Sequence, residues 1–163
     1  MNKRLERMLK NYPAMVRERD SIAHQIAHFK GLTAEEVIES MYTAHSDGER
    51  VQASNLSDKT AQIAMNYQDK MERINREWYE HLEKKYICLN EDITLFEGAL
   101  ESLSGIHSAI AKDMYLHQCT WDALATIHHV SRMTIARYKK KIIAELNAYY
   151  EKYDPEFVDY LLS

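Results

Sequence analysis

Apolar residues recur at helical spacing along most of the chain. Between residues 58 and 103, Ile63, Tyr67, Met71, Ile74, Trp78 and Leu82 step by four, four, three, four and four, one apolar stripe on a long helix. Lys70, Glu72, Arg73, Arg76 and Glu77 fill the other faces. The stripe blurs between Tyr86 and Asp92, where the pattern predicts a break or a register change, and resumes with Ile93, Phe96, Leu100 and Leu103. Upstream, Met15, Ile22, Ile26 and Phe29 predict a helix over 3–30 that is interrupted or restarts at Pro13, because proline donates no N–H and suits a first turn. Gly31 is placed to end that segment. Thr33-Ala34-Glu35-Glu36 forms a capping box and opens a short helix to about Met41. Residues 44–57 are small and polar around Gly48 and predict a loop, with Ser57 as N-cap of the long helix and Asp58 in its first turn. One stripe cannot bury itself. The N-terminal helix is therefore expected to fold back antiparallel on the long one, with self-association as the alternative.

Residues 104–146 follow a shorter rhythm. A helix is predicted from Ser104 to about Tyr115 and a second over Trp121–His128, capped by Thr120. A tight turn follows at His129, Val130 and Ser131. Ser131 caps a third helix running to Leu146. In a helix-turn-helix the first helix crosses the second closely, so a small side chain is needed at the crossing, and Ala125 supplies it. Leu124, Ile127 or His128, Val130, Ile135 and Tyr138 are expected to fill the wedge between them. The outer face of the last helix then presents Ser131, Arg132, Met133, Thr134, Ala136, Arg137 and Lys140, with Lys139 and Lys141 beside them. Arg132 and Arg137 suit guanine edges in a major groove. The three lysines suit phosphates, as do Ser131 and the helix N-terminus.

Composition narrows the alternatives. With four Gly and two Pro in 163 residues, the chain lacks the turns of a sandwich or barrel, and no Gly-rich phosphate loop serves a dinucleotide fold. The fold class expected is all-α: a long N-terminal helical hairpin, coiled-coil-like, followed by a C-terminal helix-turn-helix. The longest run without Asp, Glu, Lys or Arg is Ser102–Ala111, too short for a bilayer, and no leader pattern opens the chain, so a cytoplasmic protein without a membrane partner is expected. Net charge is −4, but residues 102–146 carry six Lys and Arg against three Asp and Glu. That basic island between acidic flanks is what would meet phosphate. Cys88 and Cys119 have no zinc spacing and read as reduced thiols. His24 and His28 stand four apart, but Gln25 replaces the glutamate that zinc proteases place after the first histidine. His117, Cys119, His128 and His129 also fail zinc spacing. No nucleophile–base arrangement stands out. No metal, cofactor or enzymatic role is expected.

The run from Thr120 to Leu146 resembles the C-terminal helix-turn-helix of sigma factors, region 4, in its Ala125, its Val130-Ser131 turn, its Thr134 and its basic, Leu-ended last helix. With its helical N-terminal half, the chain resembles the ArpU/RinA-type late transcriptional regulators of phages and prophages. His129 stands where that pattern usually has glycine, at a turn position of positive φ. No counterpart of the promoter-melting region of sigma factors is evident. The resemblance implies sequence-specific binding of double-stranded promoter DNA and activation of late genes with host RNA polymerase. The organisation expected is a helical domain over 1–100, the DNA-binding unit over 101–148 and an aromatic, acidic tail over 149–163. The tail either folds back on the core or docks a polymerase or a sister subunit. Homo-oligomerisation would enlarge the small footprint of one such unit. The other reading is a helical assembly or adaptor protein, such as a small phage packaging subunit.

Overall fold

The computed structural model describes residues 1–43, 53–152 and Ser163. Among these the chain is all-α, with six helices: α1 Lys3–Ala27, α2 Ala34–Thr43, α3 Ala53–Glu101, α4 Ile106–Tyr115, α5 Trp121–Ile127 and α6 Arg132–Glu151. It divides into two compact units, one of Met1–Ile22 with Tyr86–Ser163 and one of Ala23–Lys85.

The first unit gathers its core from both ends of the chain. Leu5, Met8, Tyr12 and Met15 of α1 pack with Ile93, Phe96, Ala99 and Leu100 of α3. Ile110, Ala111 and Tyr115 of α4, Leu124 of α5, and Ile135, Ile142, Leu146 and Tyr150 of α6 complete the same cluster. Tyr12 and Phe96 touch with ring centroids 5.4 Å apart. The Asn2 backbone N–H donates to Asn147 Oδ1 at 2.8 Å. A division near residue 100 therefore does not match the packing: the helix-turn-helix completes its core with the first helix and the end of α3.

Local signals and long-range packing disagree at several positions. Pro13 lies inside α1 and does not restart it. An interior proline costs about 3 kcal/mol in a helix. Here Leu5, Met8 and Tyr12 before it and Met15 after it are all buried in one core, which outweighs that cost. α3 also runs without interruption through residues 86–92. Its stripe blurs there because Asp92, 3% exposed, stands at a core-facing position. Arg4 Nε and Arg7 Nη2 both donate to the Asp92 carboxylate, and Arg4 Nη2 also reaches Glu91 Oε1 at 3.1 Å. α3 begins at Ala53, so Ser57 lies within the helix, not at its N-cap, while residues 44–52 of the expected loop lie outside the described residues. α6 continues five residues past Leu146, and Tyr150 is a core residue. The expected tail thus opens inside a helix; its residues 153–162 lie outside the described residues.

In the second unit the chain returns antiparallel to α3, as expected of the hairpin. Phe29 meets Trp78 and Tyr79 edge-on, with centroids 5.2 and 5.3 Å away, and Leu32 meets Asn75. The capping box forms: the Thr33 N–H donates to Glu36 Oε2 at 2.8 Å, and the Glu36 N–H to Thr33 Oγ1 at 3.3 Å. α1 stops at Ala27, four residues short of Gly31. Gly31 serves a close approach instead. Its φ is +69°, and a Cβ there would lie 2.5 Å from Asn75 Cγ, whose amide holds the Leu32 backbone. Of the stripe, Ile63 and Leu82 are buried, while Trp78 is 42% exposed against the expectation of a core position.

Candidate nucleic-acid interface

The turn between α5 and α6 is built from short-range instructions. Thr120 Oγ1 accepts from the Ala123 N–H at 3.3 Å and caps α5. Ser131 Oγ accepts from the Thr134 N–H at 3.1 Å and caps α6. Between them His129 adopts φ +54°, the left-handed conformation the turn requires, without glycine. Histidine tolerates this region better than most residues. The Val130 N–H then closes onto the Ala125 carbonyl at 3.0 Å, ending α5 just before the turn.

Leu124 and Ile135 are fully buried in the wedge, with Val130 and Tyr138 packed against it. Ile127 is 52% exposed, so the place that sequence left open between Ile127 and His128 falls to His128. His128 is not an apolar filler. Its Nε2 lies 2.8 Å from Asp113 Oδ2, tying α5 to α4. A second pair, His107 Nδ1 and Glu145 Oε1 at 2.6 Å, ties α4 to α6. The His107 ring also packs edge-on against Tyr138. Burial pushes the Glu145 carboxyl up, but hydrogen bonds from the Ser104 backbone N–H and from His107 outweigh it and hold the group below its ordinary value. Neither pair was visible in sequence, since each joins residues that only the fold brings together. His117, Cys119 and His129, the other residues weighed as metal ligands, do not join His128: His117 and His129 are exposed and Cys119 packs against the core. Among the described residues, no group of three His, Cys, Asp or Glu side chains could hold a metal.

α6 turns Ile135, Ile142, Leu146 and Tyr150 inward. Met133, Arg137 and Lys140 step by four and three along the opposite face, and all are exposed. Lys141 is exposed beside them, and Thr134 and Ala136 are half-buried on the flanks. Arg132 and Lys139 depart from this stripe toward α5. Arg132 Nε lies 2.7 Å from Asp122 Oδ1, and its Nη2 donates to Asp122 Oδ2 at 3.0 Å. Lys139 Nζ stands 5.6 Å from the centre of the Trp121 ring. The expected face thus resolves into two parts: an outer stripe of Met133, Arg137 and Lys140, and an edge where Asp122 and Trp121 of α5 hold Arg132 and Lys139. Ser131 and Thr134 are committed to the cap, with their hydroxyls 2.9 Å apart.

The arrangement can offer fixed cations to a polyanion along one helix, with an apolar Met133 at the tip. Among the described residues no helix is long and apolar enough to cross a membrane. No known protein family, curated protein or solved structure matches the chain.

Proposed function

We propose that the unit containing α4, α5 and α6 binds double-stranded DNA sequence-specifically and that the protein regulates transcription. The observation that carries this reading is the outer face of α6. Arg137, Lys140 and Lys141 are exposed, and none has a described partner, while the other side of the same helix is anchored by four buried residues. Cations held on a rigid helix next to a capped tight turn suit the major groove, where arginine reads guanine and lysine holds the backbone. The resemblance to sigma region 4 and to ArpU/RinA-type regulators favours a phage-derived activator of late genes acting with host RNA polymerase on promoter DNA in the cytoplasm.

Selection of bound duplexes from a random pool, followed by a salt titration, tests the reading. A short element should be enriched, with the logarithm of its affinity falling linearly with the logarithm of salt. Arg137→Ala should weaken binding to that element by about 1–3 kcal/mol. Equal binding to all duplexes, or none, refutes it.

A helical assembly protein is the second reading. It is favoured by α3, 49 residues long and exposing Met65 and Trp78, apolar surface that a second copy could cover. Light scattering that shows ring-sized particles without any sequence preference on DNA would favour it.

A further inference from the structure

Asp122 is the second residue of α5 and carries negative charge at the edge of a basic face. Its contact with Arg132 has a specific form. Nε and Nη2 of one guanidinium meet the two oxygens of one carboxylate, at 2.7 and 3.0 Å, so the pair is a two-pronged, side-on fork. Both side chains are largely exposed, 66% and 74%, and an exposed pair adds little to folding. What the fork does fix is direction. Of the five N–H groups of the guanidinium, it uses two along the Nε–Nη2 edge. The end-on edge, one N–H from Nη1 and one from Nη2, stays open. That free edge can still donate two parallel hydrogen bonds, to O6 and N7 of guanine. Trp121, the neighbour of Asp122, lies against Lys139, which like Arg132 belongs to α6, so the first turn of α5 steadies two cations of α6.

We propose that Asp122 is a positioning residue for base reading: it holds Arg132 side-on so that the free edge of its guanidinium meets a guanine in the major groove. The proposal rests on the DNA-binding function proposed above. A side chain already ordered before binding gives up less freedom on contact, which sharpens discrimination. The carboxylate also repels phosphates, so it holds down affinity for unrelated duplexes while it supports the selected one. Asp122 therefore trades general affinity for selectivity.

The test uses the full chain as wild type, Asp122→Ala, Asp122→Asn and Arg132→Ala, with thermal melts to establish that each folds. Each is measured on the duplex enriched by the wild type, on copies of it changed one base pair at a time, and on an unrelated duplex. Arg132→Ala and Asp122→Ala are expected to lose the preference for the same guanine, by roughly tenfold or more. Asp122→Asn keeps the shape with one acceptor and should fall between. Affinity of both Asp122 variants for the unrelated duplex should hold or rise, which a merely structural loss would not produce. If Asp122→Ala or Asp122→Asn keeps the full guanine preference that Arg132→Ala loses, Arg132 reads unaided and the proposal fails. It fails equally if removing Asp122 strengthens every duplex alike with the preference intact, or if no guanine depends on Arg132. Should the wild type enrich no duplex at all, DNA binding itself is refuted, an outcome distinct from the others.

Discussion

Asp92 offers the sharpest test of how the first helix docks. Its side chain is 4% exposed and takes both Arg4, 21% exposed, and Arg7, 55% exposed. Removing one partner of a buried ion pair costs about 3–5 kcal/mol, because the other charge is left without compensation. Two features lower the figure here. Arg4 retains Glu91 at 3.1 Å, and Arg7 can turn its guanidinium into water. Asp92→Ala should therefore cost about 2–3 kcal/mol, and Asp92→Asn, which keeps the shape and one acceptor, about 1–2 kcal/mol. The assay is urea unfolding, read as a shift in midpoint at unchanged slope. Double-mutant cycles then apportion the loss. Coupling of Asp92 to Arg4 should exceed its coupling to the better-solvated Arg7, which should be about 1 kcal/mol or less. An Asp92→Ala variant within about 0.5 kcal/mol of wild type would refute the reasoning, since a surface substitution does no more than that.

Three further outcomes follow from other parts of the structure. At His129, φ +54°, glycine should be neutral or stabilising by up to about 1 kcal/mol, and valine destabilising by about 1–2 kcal/mol, in thermal melts; equal stability of the two would exclude a left-handed turn. Gly31→Ala places a Cβ 2.5 Å from Asn75 Cγ at a φ of +69° and should cost about 2 kcal/mol or more in thermal melts, and a cost within about 0.5 kcal/mol would exclude the close approach. Glu145, its carboxyl held below the ordinary 4.5, contributes stability that is present above that value and lost as pH falls through the lower folded value. The stability gap between wild type and Glu145→Gln should thus shrink as pH falls below about 4.5, and a constant gap would count against an ionised Glu145 carboxylate.

What could be seen in the sequence was local. Thr33, Thr120 and Ser131 each cap a helix through a group three residues away, so a short window contains the whole cause. The all-α class follows from the same windows. Pro13 and the 86–92 stretch misled because their outcome depends on a core drawn from five helices, α1, α3, α4, α5 and α6. A window sees the proline and the carboxylate, but not the burial that outweighs one or the arginines that satisfy the other. The interface divides similarly. Periodicity placed Met133, Arg137 and Lys140 on one face, whereas the capture of Arg132 by Asp122 depends on the angle between α5 and α6, which no spacing encodes. Ile127 and His128 were interchangeable as apolar-phase neighbours until Asp113 selected the histidine.

The joining of residues 1–22 to the C-terminal helices in one core sets an order of events at the ribosome. Leu5 and Met8 leave the exit tunnel well before Ile142 and Leu146, members of the same core, have been made. At about 5–20 residues per second that delay is roughly 7–30 seconds. During it the apolar face of α1 is open to chaperones and to neighbouring nascent chains. A fragment beginning at residue 101 would emerge with the same handicap made permanent, its inner face bare where α1 and α3 belong, and should aggregate on expression.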